Sequence, residues 1–179
     1  MRMLRRACQK LWLQAPAEFF DELAWHWYRP LTEVATVEDG TADVLAELTR
    51  RGYKLAIVSN TFVPGFVLDR HLTDLGLIQY FPVRVYSCDV GYRKPSRHIF
   101  NIALDRLEVP ADRAVFVGDL LRADVRGAQR AGMKAVWRKP ADVTDEAPPD
   151  ALAIESLHQL PGAIDQLFSA PSPLGRGPG

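Results

Sequence analysis

The 179-residue chain carries 22 basic and 22 acidic side chains, a balance that excludes the electrostatic footprint of a protein built to bind nucleic acid or an anionic membrane. Its length fits one domain, or one domain with a small appendage, and suffices to bury a core. Two cysteines, Cys8 and Cys88, stand far apart without a CxxC or Cys/His cluster, which argues against a disulfide framework or zinc site and for a reducing, cytoplasmic setting. No apolar stretch approaches the ~20 residues of a membrane span. The basic start, residues 1–10, lacks the apolar core and cleavage site of a secretory signal.

In chain order, residues 5–28 are helical and aromatic-rich around a break at Pro16, and Pro30 closes the segment. Its Leu11, Trp12, Phe19, Phe20, Leu23 and Trp27 recur at helix-like spacing and are expected to pack rather than bind a ligand. Residues 41–51 form an amphipathic helix ended by Gly52, and residues 54–58 a buried strand. The alternation continues with helix 66–75, strand 83–88, helix 97–107, strand 114–117, helix 124–131, strand 134–138, a short strand 151–154 and helix 160–168. Strands separated by helical runs predict an α/β fold, a doubly wound parallel sheet with right-handed crossovers. The tail from residue 169 is Pro- and Gly-rich and expected to be disordered.

Three strand ends carry chemistry. The apolar run 114–117 predicts a strand buried on both faces; Gly118 is expected to turn the chain so that Asp119 lands at the strand's carboxyl end, where open α/β sheets bind ligands. Asp124, on the opening turn of the next helix, reaches the same spot, and two hard oxygen ligands with room for water suit Mg²⁺. Taken alone, such a carboxylate is equally a helix cap or dipole partner. The strand before Ser59-Asn60-Thr61 ends in hydroxyl and amide donors for a phosphoryl oxygen, or in a simple turn cap. The third strand leads into Lys94-Pro95, where an ammonium is presented in an extended approach, or merely stands in solvent. Hydroxyl, ammonium and carboxylate gathered at parallel strand ends are what phosphoryl transfer needs.

In these segments the chain resembles the haloacid dehalogenase (HAD)-like hydrolase superfamily, particularly its subfamily I phosphatases. LAIVSNT is similar to that family's second motif, GYRKPSRHIF to its third and VFVGDLLRADVRGAQRAGM to its fourth. The resemblance implies that Ser59 and Asn60 bind the phosphoryl group, that Lys94 bridges nucleophile and phosphate as a catalytic residue, and that Asp119 and Asp124 serve an Mg²⁺ site. It also implies a HAD-like Rossmannoid core over residues 37–168, lacking its first strand, with residues 1–36 as part of a helical cap that selects a small phosphorylated metabolite.

The family's first motif, an apolar strand ending in Asp-x-Asp whose first carboxylate attacks phosphorus, has no counterpart in the chain. Val37-Glu38-Asp39-Gly40-Thr41 has the Asp-Gly-Thr ending but a Val at the nucleophile position, and lies one helix before the strand 54–58, where the family has its loop into the helix before the second motif. That strand is central in the resembling fold, between those ending at Asp119 and Ser59. Three outcomes follow: Met1 is an internal methionine of a longer chain, the two flanking strands close on one another, or another polypeptide supplies the strand. A phosphate monoester hydrolase in its complete form is the leading expectation, with this chain weak or inactive and prone to self-association through open strand edges. A non-catalytic phosphate- and Mg²⁺-binding module and a dehalogenase are the alternatives.

Overall fold

The computed structural model describes residues 15–169. It opens with α1, Ala17–Val34, and α2, Thr41–Arg50, followed by β1, Ala56–Ser59, α3, Gly65–Asp74, β2, Val83–Tyr86, a short α4, Ser87–Val90, and α5, Arg97–Leu107. Then come β3, Val115–Gly118, α6, Arg126–Arg130, β4, Lys134–Arg138, β5, Ala151–Ile154, and α7, Leu160–Ser169. The expected order of helices and strands is present, except that the expected strand 83–88 ends at Tyr86 and the unforeseen α4 follows it. The expected disorder beyond residue 169 lies outside the described residues, as do Leu11 and Trp12.

All strand pairs are parallel. However, they form two half-sheets, β1 beside β2 and β3-β4-β5. The registers are Val58 opposite Val85 in the first, and Val117 opposite Val136 opposite Leu152 in the second. Among the described residues β1 and β3 are not paired with each other, so the flanking strands have not closed up.

This corrects one expectation about burial. Every residue of β1 and β3 is only partly buried, although both runs are apolar enough for interior strands. By contrast Val85 of β2 and Ala135 and Val136 of β4 are wholly inaccessible; β2 too has one unpaired edge among the described residues, so edge position alone does not set the burial. Helices hold the halves together. On one face Ile99, Phe100 and Ala103 of α5 and Ala128 of α6 pack with Val85, reaching Val58 of β1 and Phe116 of β3 alike. On the other, Val44 and Leu48 of α2 and Leu160, Ala163 and Ile164 of α7 cover Val136 and Ile154, with Val115 and Val117 against them. The alternation of strand side chains feeds both layers.

Two local differences have simple causes. Helix α1 runs through Pro30 to Val34 instead of ending there; proline removes one helical donor, and the carbonyl it leaves, on His26, sits at an exposed position where water can bond it. The stripe Phe19, Leu23 and Trp27, expected to pack, stays exposed, while Phe20, Ala24 and Trp25 are buried. Ala24 and Trp25 dock on Val63 and Val67, and Arg70 of α3 lies 4.2 Å over the Trp25 ring.

The Val37–Thr41 segment is an anchor. Glu38 accepts from Arg138 through Nε (3.2 Å) and Nη2 (2.9 Å), from the Ser156 hydroxyl and from the Leu157 N–H (2.9 Å). These bonds tie the start of α2 to the ends of β4 and β5. Gly40 is in the left-handed region (φ 73), which favours glycine, and a Cβ there would also displace the exposed His158 ring, 2.3 Å away.

Candidate functional site

The carboxyl ends of β1 and β3 and the segment after β2 converge. Lys94 Nζ lies 2.8 Å from Asp124 Oδ1, joining two motifs far apart in sequence. Asp124 is 2 % exposed, and its second oxygen accepts from the Leu120 N–H at 3.1 Å. A carboxylate this deep needs such partners, since an unpaired buried charge is strongly disfavoured. Lys94 Nζ also lies 5.1 Å above the Phe116 ring of β3, a cation–π contact that holds the ammonium against the strand.

Asp124 reaches this position by a route the spacing did not predict. It sits in a wide π-helical turn, Leu121–Val125, that precedes α6, instead of opening that helix. Asp124 N–H and Val125 N–H both donate to the Leu120 carbonyl, at 2.8 and 3.4 Å. Such one-turn insertions swing a side chain off the regular helical path and recur at functional sites.

Gly118 has a different reason from the one expected. It is not among the positive-φ glycines; what demands glycine is space, because a Cβ would stand 2.5 Å from both Cβ and Oδ2 of Asp124. Asp119 follows with its side chain exposed, and its carbonyl accepts from Trp137 Nε1 at 2.9 Å. The buried indole of β4 thereby fixes the peptide that carries the Asp119 carboxylate.

The second motif is braced at its other residues. Asn60 Nδ2 donates to the Lys94 carbonyl at 3.0 Å, and the Lys94 N–H donates to Asn60 Oδ1 at 2.8 Å. This amide clamp locks the Ser59 loop to the Lys94 loop, whose Lys94–Pro95 bond is cis. Buried Ser87, the first residue of α4, braces the same loop: its Oγ accepts from the Thr61 N–H and donates to the Thr61 carbonyl, both at 2.9 Å. Ser59 closes β1, paired in register with Tyr86.

Ser87 and Trp137 escaped the reading of the sequence. A small polar residue ending the apolar run at Ser87 was a usable signal; nothing local marks Trp137 as a donor to Asp119.

Among the described residues no group of three or more His, Cys, Asp or Glu side chains is placed to hold a metal. Asp119 and Asp124 are the two carboxylates at the β3 end, one exposed and one held by Lys94 and the Leu120 N–H. One or two carboxylates plus waters and substrate phosphate are what Mg²⁺ ordinarily takes, so this donor set fits a water-rich Mg²⁺. No helix among the described residues is long and apolar enough to cross a membrane.

Known proteins resemble this chain in sequence and fold. The chain is 40% identical over 120 residues to a phosphoserine phosphatase of Thermus thermophilus, covering 65% of this chain and 46% of that one. It is 35% identical over 170 residues to haloacid dehalogenase-like hydrolase domain-containing protein 3 of Mus musculus, covering 90% and 63%. The magnesium-bound crystal structure of the putative HAD-hydrolase YfnB from Bacillus subtilis superposes with a TM-score of 0.69 at 28% identity, over 78% of this chain and 60% of that one. The chain spans about half the length of several curated relatives it matches. The haloacid dehalogenase-like hydrolase family model matches residues 3–138, and together with the parallel α/β core and the convergent Ser59, Lys94 and Asp119 loops this establishes that the chain belongs to that family.

Proposed function

We propose that the protein serves Mg²⁺-dependent hydrolysis of a small-molecule phosphate monoester, and that these residues form its phosphate- and metal-binding half. The observation that carries this is the Lys94–Asp124 ion pair at 2.8 Å, which stands where the loop after Ser59 is clamped to Lys94 by Asn60. The phosphatases among its relatives support the same class of reaction.

The roles follow from the chemistry of each group. The Ser59 hydroxyl donates to a phosphoryl oxygen. The Lys94 ammonium faces the charge that builds on the transferring group, with Asp124 holding it in place. Asn60, both of whose side-chain groups bond the Lys94 backbone, positions that ammonium and the Ser59 loop together. Asp119 and Asp124 hold the Mg²⁺, which when bound neutralises charge on the phosphoryl oxygens. The domain boundaries 1–36, 37–168 and 169–179 belong to this reading, as does a reducing, cytoplasmic setting.

The attacking carboxylate is not among these side chains. A strand carrying it would pair with the edges of β1 and β3 that are unpaired among the described residues, and while open those edges favour self-association. Binding of inorganic phosphate to the 179-residue chain, measured by equilibrium dialysis, is expected to require Mg²⁺ and to fall about tenfold or more in Ser59→Ala and in Asp119→Ala. Phosphate binding indifferent to Mg²⁺ and to both substitutions would overturn the assignment. With p-nitrophenyl phosphate, little or no turnover is expected from this chain alone; turnover abolished by Asp119→Ala would instead show that the nucleophile is present and that no separate strand is needed.

A further inference from the structure

We propose that Trp137 is a positioning residue for the metal site: through the one peptide unit that joins Asp119 to Leu120, its indole sets the spacing of the Asp119 and Asp124 carboxylates and with it the affinity for Mg²⁺. The inference rests on the Mg²⁺ reading above and adds to it a residue that lies outside the three motifs.

The Asp119 carboxylate makes no hydrogen bond or ion pair with any described residue. Its direction is therefore inherited from its own backbone, and that backbone is held at both ends of a single peptide unit. The Asp119 carbonyl accepts from Trp137 Nε1 at 2.9 Å. The Leu120 N–H, the other end of the same planar unit, donates to Asp124 Oδ2 at 3.1 Å. Asp124 in turn is paired through Oδ1 with Lys94 at 2.8 Å. Indole, peptide, carboxylate and ammonium form one chain of bonds, and both carboxylates proposed to hold Mg²⁺ depend on the peptide in its middle. Apart from the Leu120 carbonyl, which accepts within the π-turn, the flanking residues add little restraint: Gly118 has no side chain, and that of Leu120 is 57 % exposed.

Trp137 is built to hold that peptide. It is 1 % exposed and packed with Val125 and Ala135, and Lys139 Nζ lies 5.5 Å from its ring centre. A ring wedged into the core in this way is a stiff donor. Gly118 pairs with it in register, so the indole reaches only one residue further along β3. A buried indole N–H needs an acceptor, and the one it finds ties the core around β4 to the metal-site turn. Donation to a carbonyl also polarises the peptide and strengthens its N–H as a donor, so the same indole reinforces the hold on Asp124.

Trp137→Phe removes the donor and keeps an aromatic ring. Calorimetric titration of the full 179-residue chain with Mg²⁺, well below the melting range, is expected to show affinity lowered about 10- to 100-fold, the scale found for partners that orient a metal's ligands. Val136→Ala, on the same strand but in the opposite core layer, should destabilise the fold and leave Mg²⁺ affinity unchanged. Coupling is reciprocal, so Mg²⁺ should also act on the indole. In the intact chain its addition is expected to shift the Trp137 indole N–H resonance more than those of Trp25 and Trp27, with signals identified by Trp12→Phe, Trp25→Phe and Trp27→Phe. That readout stands even where Trp137→Phe fails to fold. A folded Trp137→Phe chain with wild-type Mg²⁺ affinity, an equal loss in Val136→Ala, or a Trp137 resonance indifferent to bound Mg²⁺ would overturn the positioning role and leave the metal site standing. Absence of Mg²⁺ binding by the wild-type chain, or binding indifferent to Asp119→Ala, would overturn the metal site and this inference with it.

Discussion

Gly118→Ala tests the packing logic of the site without touching a charged group. A Cβ at this position would stand 2.5 Å from Cβ and Oδ2 of Asp124 and 2.6 Å from Cγ. Asp124 is buried and cannot swing into solvent to escape. It must move away from Gly118, which strains both the Leu120 N–H bond at 3.1 Å and the Lys94 contact at 2.8 Å. Overpacking alone destabilises by about 1 to 3 kcal/mol, and pushing Asp124 off Lys94 raises this toward about 3 to 5 kcal/mol, since the pair is desolvated. For a domain of this size the lower range corresponds to a melting temperature reduced by roughly 2 to 12 °C. Gly162→Ala, inside α7 with nothing within 4 Å of the added Cβ, is the control, expected to be neutral or up to ~1 kcal/mol stabilising. Paired thermal and urea melts would decide it. If Gly118→Ala melts with or above the wild-type chain while Gly162→Ala behaves as stated, the close approach of Asp124 to β3 is wrong.

Two further outcomes follow from side chains that brace the fold. Hydrogen bonds from Ser156, then Arg138 and the Leu157 N–H, hold the Glu38 carboxyl at about 2, below its ordinary 4.5. Because the folded value is depressed, the stabilisation is complete above about 4.5 and is lost as pH falls toward about 2. Glu38→Gln should flatten the fall of melting temperature across that window, and an unchanged profile would count against the anchor. Asn60→Ala leaves the Lys94 backbone N–H and carbonyl without their side-chain partner; the expected loss is about 1 to 3 kcal/mol in urea melts, with phosphate binding weakened although Ser59 and Lys94 are intact. An Asn60→Ala chain that keeps wild-type phosphate affinity would show that the clamp does not position the site.

The alternation of helices and strands is legible because each element carries its own period and its own stop signal, as with Gly52 ending α2 and Gly132 following α6. The motif residues are legible for a related reason: polar groups placed directly after apolar runs land at strand ends wherever the sheet is parallel. Ser59 and Asp119 follow this rule, whereas Lys94, separated from β2 by α4, is marked only by the proline after it.

What escaped depends on neighbours that no local window contains. The partial exposure of β1 and β3 depends on what packs beside each strand, which their apolar composition cannot reveal. Helix α1 was expected to bury Trp27, yet its contact face is set by Val63 and Val67 of a later segment, which select Ala24 and Trp25 instead.

By itself, then, the sequence determined the α/β order, the family resemblance and the chemistry offered at each strand end, all consequences of short-range periodicity and residue type. Tertiary structure alone decided that Asp124 pairs with Lys94 from within a π-turn, that Gly118 is glycine for want of room beside Asp124, and that Asn60 and Ser87 lock the loop after β1 in place. These are through-space contacts between segments distant in the chain, fixed only when the helix layers bring the strand ends together.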